Sequence, residues 1–272
     1  MLLGGPRARP KDSNLGLELT AMSSCSLRSV ALGAGTPKVI VPLTATTLPA
    51  LLTQADSVIA AAPDVVEWRF DFLENALQAD ELVAAGKALR SRLAETPLLA
   101  TFRTADEGGE QVVAPEAYAA LYEALIAAGV PDAVDVEIFR DEAVVDRIIA
   151  AAHAADVKVI ASNHEFGHTP AAEELVRRLL LMERRGADVL KIAVMPKSPG
   201  DVLALLGATW TTSQQATRPL ITMSMTATGV VSRLAGGTFG SCATFGTVGK
   251  ASAPGQIPVA QLRAALAIVH AE

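Results

Sequence analysis

The sequence predicts an α/β protein, a (β/α)8 TIM barrel folded as a single domain. Three observations carry that prediction. Short apolar runs, of the kind that form strands covered on both faces, recur eight times along the chain. Ala- and Leu-rich segments with their charges on one face alternate with them. The 272 residues suit one barrel of this kind, and no GxGxxG turn follows the first run, as a dinucleotide-binding open sheet would require. Closure into a barrel is inferred from the number eight.

In chain order, residues 1–35 hold Gly, Pro and Ser without a sustained period and are expected to form a disordered, mobile N-terminal arm, with Met22 a candidate start. The catalytic barrel is expected over 36–272. Its strands are KVIVPL (38–43), VVEWRFD (65–71), PLLATFR (97–103), AVDVEIF (133–139), KVIASNH (158–164), DVLKIAV (188–194), LITMSM (220–225) and CATFGTV (242–248). Among the helical segments, AAEELVRRLLLMERRG ends in basic residues and Gly186, a helix stop. Turn signals at Thr169-Pro170 and Ser198-Pro199-Gly200 precede the helices that follow them. TGVVSRLAGG, after the seventh strand, has room for a short helix only.

Half of the residues are apolar and the formal charge is −6, which argues against a nucleic-acid or anionic-membrane partner. No uncharged apolar run reaches the roughly 18 residues of a membrane span, and the N-terminus lacks the n- and h-regions of a secretory signal. Cys25 and Cys242 fit no metal spacing, so a reduced, cytoplasmic protein is the simpler reading.

In a barrel the chemistry gathers at the C-terminal ends of the strands. Lys191 stands in the middle of an apolar strand, where an unpaired ammonium costs roughly several kcal/mol. It must reach solvent, meet a carboxylate or serve as a neutral amine. Glu67 and Arg69 share one face of the second strand, Arg103 closes the third ahead of Glu107, and Asp135 with Glu137 shares a face of the fourth. His164 tips the fifth as a candidate acid/base. Arg233 follows the seventh strand, and Ser252 and Gln256 lie in a Gly/Pro-shaped loop, ASAPGQIP, that could close over a ligand. Each alone has a plain reading as a surface charge, an ion pair or a turn. Together they place a lysine, a histidine, carboxylates and arginines at one end. No metal-ligand spacing and no GxSxG elbow appears. A lysine buried among cations loses its charge readily and becomes a nucleophile for a carbonyl, while arginines hold a carboxylate. The residues thus suggest a Schiff-base enzyme for a small keto acid.

The runs EWRFDFLE, TFRTADEGGEQ, SNHEFGHTP, LKIAVMP, TMSMTATGVVSRLAGGTFGSCATFG and KASAPGQI resemble those of type I 3-dehydroquinate dehydratase, from about Pro37 to the C-terminus. The resemblance implies dehydration of 3-dehydroquinate to 3-dehydroshikimate by syn elimination, a step of the shikimate pathway. It implies that Lys191 forms an imine with the substrate ketone and that His164 is the general base. It implies that Glu67, Trp68 and Arg69 line the substrate's hydroxyl side, that Arg103 and Arg233 bind substrate, and that Ser252 and Gln256 touch it from the loop. Asp135, Glu137 and Glu107 match family acids near the histidine, one of which is expected to orient it. Pro42 stands where several members carry a substrate-touching serine, which removes one contact and no catalytic group. No metal or organic cofactor is implied, and the family suggests a homodimer. The competing readings are an aldolase, with AGGTFGS as a phosphate cup, and a catalytically silent binding barrel. A fused shikimate dehydrogenase is not expected, since the barrel takes up the residues of this sequence.

Overall fold

The computed structural model describes residues 23–249 and 252–271. A hairpin of β1 (Cys25–Leu27) and β2 (Val30–Leu32) comes first. Then strand and helix alternate: β3 (Lys38–Leu43) and α1 (Leu48–Ala60), β4 (Val65–Arg69) and α2 (Ala79–Leu93), β5 (Leu98–Thr101) and α3 (Pro115–Ala127), β6 (Ala133–Glu137) and α4 (Glu142–Ala154). The second half continues with β7 (Lys158–Glu165) and α5 (Ala172–Arg184), β8 (Val189–Val194) and α6 (Pro199–Ser213), β9 (Leu220–Ser224) and α7 (Val230–Ala235), and β10 (Ala243–Thr247). The two-residue β11 (Ile257–Pro258) and α8 (Val259–Val269) end the chain.

All eight expected strands are present as β3 to β10, paired in parallel in sequence order, with β10 beside β3. The ring closes between β9 and β10, where the Cys242 amide donates to the Leu220 carbonyl at 2.7 Å and a parallel bridge joins Leu220 to Ser241. The helix after β9 is six residues long, as the sequence suggests.

Strand alternation divides the core into two. Outward residues such as Val41, Trp68, Val134, Leu190 and Ile192 pack under the helices. At the N-terminal end each barrel strand turns one apolar residue inward: Ile40, Val65, Leu99, Ala133, Ile160, Val189, Ile221 and Ala243. Two residues further along every strand the inward positions become Pro42, Glu67, Thr101, Asp135, Ser162, Lys191, Met223 and Phe245. The lower layer is an apolar plug, and the polar layer on top of it is the floor of the site.

The hairpin corrects the expectation of a mobile arm over 1–35. Residues 1–22, Met22 among them, lie outside the described residues, but 25–32 are folded against the barrel. Cys25, Leu27 and Leu32 are buried in the same cluster as the apolar plug. Arg28, in the turn, bonds Asp132 at 2.7 Å and Glu95 at 3.0 Å, and the Ser23 amide donates to the Thr217 carbonyl at 2.7 Å. Strands of three residues are too short to show a period, so only their burial reveals them. Leu32→Ala is expected to cost about 2–5 kcal/mol, since Leu32 is fully buried. Chemical denaturation measures it; a loss near zero would mean that the hairpin does not floor the barrel.

Candidate active site

Above the polar layer, the C-terminal mouth of the barrel opens into a partly open pocket. Its walls include Glu67, Arg69, Arg103, Glu107, His164, Lys191, Arg233, Ser252 and Gln256, all singled out from the sequence. Met223, Met225, Phe245 and Phe166 supply its larger apolar surfaces. Those four were not singled out, because an apolar residue facing a cavity and one facing a core read alike in sequence. Asp135 and Glu137 lie fully buried just behind the wall. Trp68 does not belong to the site. It alternates away from Glu67 and Arg69, is fully buried in the layer under the helices, and packs 5.5 Å from the Phe70 ring. Pro42 shares the inward face of β3, paired in register with Glu67.

Lys191 Nζ donates to Asp135 Oδ2 at 2.7 Å, stands 3.6 Å from Glu67 Oε1, and lies 4.7 Å from the centre of the Phe245 ring. The lysine's immediate neighbours are therefore carboxylates, where cations were expected from the sequence. The strand arginines reach the cluster from its far side: Arg103 Nη2 holds the other oxygen of Asp135 at 2.6 Å. Burial works against the charge of Asp135, but Arg103 and Lys191 outweigh it and hold the carboxyl well below its ordinary range. Ser162 Oγ adds a bond to Asp135 Oδ1 at 2.5 Å.

Arg103 lines the cavity with its guanidinium already committed. Besides Asp135 it bonds Glu137 at 3.0 Å, Ser162 at 3.1 Å and Glu107 at 3.4 Å. Burial opposes its charge, yet the three carboxylates keep it protonated well above its ordinary value. Arg69 is likewise tied, by two bonds of 2.7 Å to Asp71. Asp71 also accepts the amides of Arg103 and Glu110, which pins the segment after β5. Glu137 pins the same segment from the other side through the amide and hydroxyl of Thr104. Gly108 turns it in a left-handed conformation (φ +81°), with the Phe166 ring where a Cβ would stand.

That segment brings Glu107 to His164. One oxygen, Oε2, lies 2.9 Å from both the His164 amide nitrogen and Nδ1. Of the three acids near the histidine, Glu107 is therefore the one that bonds and orients its ring, through Nδ1 and not Nε2. Burial, with help from Arg103 and Lys191, lowers the His164 pKa well below its ordinary value and so favours the neutral ring. Burial also pushes Glu107 up to about 8, with Glu137 adding to the shift and Arg103 opposing it.

Arg233 differs from the other cavity cations. It is buried, and among the described residues no carboxylate pairs with it. Nη2 donates to the Pro254 carbonyl at 3.0 Å, Nη1 meets the Met223 sulfur at 3.6 Å, and Nε has no partner among the described residues. Burial alone lowers its pKa to about 10, so it keeps its charge at neutral pH without a counterion. Ser252 and Gln256 bond each other, the Ser252 amide donating to Gln256 Oε1 at 2.9 Å. Between them Gly255 (φ +81°) lies so near the Thr226 carbonyl that a Cβ would clash. No helix among the described residues is long and apolar enough to cross a membrane, and no cluster of metal-ligating side chains occurs among them.

The architecture is thus that of a (β/α)8 barrel with a polar, charge-lined cavity at its C-terminal mouth, where barrel enzymes carry their sites. The family model of type I 3-dehydroquinase matches residues 39–272, and the chain belongs to that family. A 3-dehydroquinate dehydratase of Listeria monocytogenes is 52% identical over 249 residues, covering 92% of this chain and 99% of the relative. One of Escherichia coli is 49% identical over 250 residues with the same coverage. The solved type I 3-dehydroquinate dehydratase of Clostridium difficile, with covalently modified comenic acid, superposes with a TM-score of 0.89 at 41% identity, covering 92% of this chain and 98% of that one.

Proposed function

We propose that this protein is a hydro-lyase that dehydrates 3-dehydroquinate to 3-dehydroshikimate in the shikimate pathway, through a Schiff base on Lys191. The observation that carries the reading is the company kept in one cavity: a buried amine, an imidazole held by a carboxylate, and a buried guanidinium with no carboxylate of its own among the described residues. The substrate has a ketone for the first, an acidic C–H for the second and a carboxylate for the third.

Lys191 Nζ, once deprotonated, attacks the ketone carbon; loss of water from the adduct leaves a protonated imine. The positive charge then sits where the ammonium was, still facing Asp135, so the pair of 2.7 Å serves both states. The imine draws electrons from the adjacent carbon, and Nε2 of His164 removes its proton. The resulting enamine expels the neighbouring hydroxyl, which leaves as water with the proton returned by the same imidazole. One base serving both transfers suits a syn elimination. Water then hydrolyses the imine, releasing product and free Lys191. Glu107 holds the ring, Arg103 holds the carboxylates, and Glu67, Arg69, Ser252 and Gln256 supply polar contacts to the substrate. The same reading carries a small-molecule substrate, a cytoplasmic location and a homodimer, the last open to sedimentation velocity.

Turnover is followed as the appearance of the conjugated enone of the product. Turnover of 3-dehydroquinate with none on sugar phosphates is expected; the reverse would favour an aldolase, and no turnover at all would contradict the reading. Arg233→Ala is expected to lower kcat/KM roughly 100-fold, mainly through KM, because it removes charged hydrogen bonds made in ground and transition state alike. Steady-state kinetics with KM unchanged would place the carboxylate elsewhere.

A further inference from the structure

The carboxylate that holds His164 is itself held from behind. Asn163 precedes His164 in β7, and its buried side chain donates through Nδ2 to Glu107 Oε1 at 3.1 Å. Its Oδ1 accepts from Arg178 Nη1 at 2.9 Å. Arg178 comes from α5 and is clamped in its turn. Its Nε donates to Glu174 at 2.7 Å, Glu165 stands 3.6 Å from it, and the guanidinium lies 5.5 Å from the centre of the Phe139 ring.

A guanidinium can only donate, so the end of the Asn163 amide that faces Arg178 must be the oxygen. The nitrogen must then face Glu107. An amide N–H also can only donate, and its bond to Oε1 favours the ionised carboxylate over the acid. An ionised Glu107 is acceptor-only, so His164 must carry its proton on Nδ1 and keep Nε2 bare. A protonated Glu107 would donate to Nδ1, put the proton on Nε2 and leave the ring unable to act as base.

The surroundings pull in both directions. Burial favours the acid, and so do Glu137 and Asp135 on β6. Arg103 opposes them, but its bond to Glu107 is the longest it makes to a carboxylate, 3.4 Å. Arg69 on β4 and Lys191 on β8 act on the imidazole, Arg140 pairs with Glu137 on its outer side, and Glu165 stays with Arg178. The amide of Asn163 is the donor at Oε1, and it pulls towards the ionised form.

We propose that Asn163, oriented by Arg178, is a positioning residue that favours the ionised form of Glu107 and with it the bare Nε2 of His164 that takes the substrate proton. This rests on His164 being the base and Lys191 the imine-forming amine.

The test is the pH dependence of kcat in the full chain for Asn163→Leu, Arg178→Leu and Arg178→Lys. Catalysis needs the ionised Glu107, so activity falls as pH drops through its pKa; losing a donor raises that pKa and moves the acid limb to higher pH. For Asn163→Leu the limb is expected to rise by about one pH unit, with kcat down about tenfold on the acid side, recovery at alkaline pH, and KM within twofold. Arg178→Leu, at a position less buried than Asn163, is expected to move the limb the same way, and Arg178→Lys to move it back, because an ammonium still donates to Oδ1. A loss equal at every pH, or no loss, overturns the proposal. Borohydride trapping of the substrate imine on Asn163→Leu is expected to label Lys191 as in the native enzyme. A normal adduct with an unmoved limb overturns the positioning of His164 alone. A missing adduct in the native enzyme overturns both this and the chemistry it rests on.

Discussion

Lys191→Ala is expected to abolish dehydration of 3-dehydroquinate, with kcat down on the order of 10⁵-fold or more, and to abolish any covalent adduct with the substrate. On the proposed mechanism the loss is total because the protonated imine is the electron sink: without it the proton beside the ketone is not acidic enough for an imidazole to remove. The fold should survive. Breaking a buried ion pair costs about 3–5 kcal/mol when a charge is left alone, but Asp135 keeps Arg103 at 2.6 Å and Ser162 at 2.5 Å. A variant with native thermal stability, substrate bound and no adduct is the expected outcome. Residual turnover above a thousandth of the native rate would show that the lysine is not the nucleophile.

His164→Ala separates the two halves of the reaction. Imine formation should persist, while turnover falls by roughly 10²–10⁴-fold, the range for a removed general acid–base group. The covalent intermediate should therefore accumulate and be visible by mass spectrometry without a reductant. The native pH dependence follows from the same pair. Burial, Arg103 and Lys191 lower the imidazole pKa well below its ordinary value, so the acid limb is expected to belong to Glu107, which burial has raised above the ordinary carboxylate range. Activity should fall as pH drops through that raised value, and a limb at the ordinary carboxylate pKa would contradict the assignment.

How much of this was legible in the sequence varies with the physics of each element. The eight barrel strands were legible because strands covered on both faces are continuous apolar runs, and the polar residues that interrupt them, such as Asp135 and Lys191, stood out. The floor hairpin was not, since Cys25–Leu27 and Val30–Leu32 are too short for any periodicity. Trp68 was read with its neighbours Glu67 and Arg69, although a period of two sends it to the helix layer. The charge around Lys191 was misjudged for a subtler reason. Sequence gives which charges line a mouth, but partner choice depends on reach. Arg103 is long enough to pass behind Asp135 and leave that acid's other oxygen to the lysine. Glu107 could not be told from Asp135 and Glu137 as the partner of His164, because it comes from a turn whose path is set by Asp71 and Glu137. Asn163 and Arg178 gave no signal, since a polar strand residue and a helix arginine are ordinary on their own.

The most direct test of the central claim is borohydride reduction in the presence of 3-dehydroquinate, followed by peptide mass mapping. A single substrate-derived adduct on Lys191 is the expected result: the lysine in the apolar strand is then a nucleophile held ready by Asp135. Dehydration proceeding with no adduct, or with the adduct on a different lysine, would contradict it and return Lys191 to the role of a buried, paired charge.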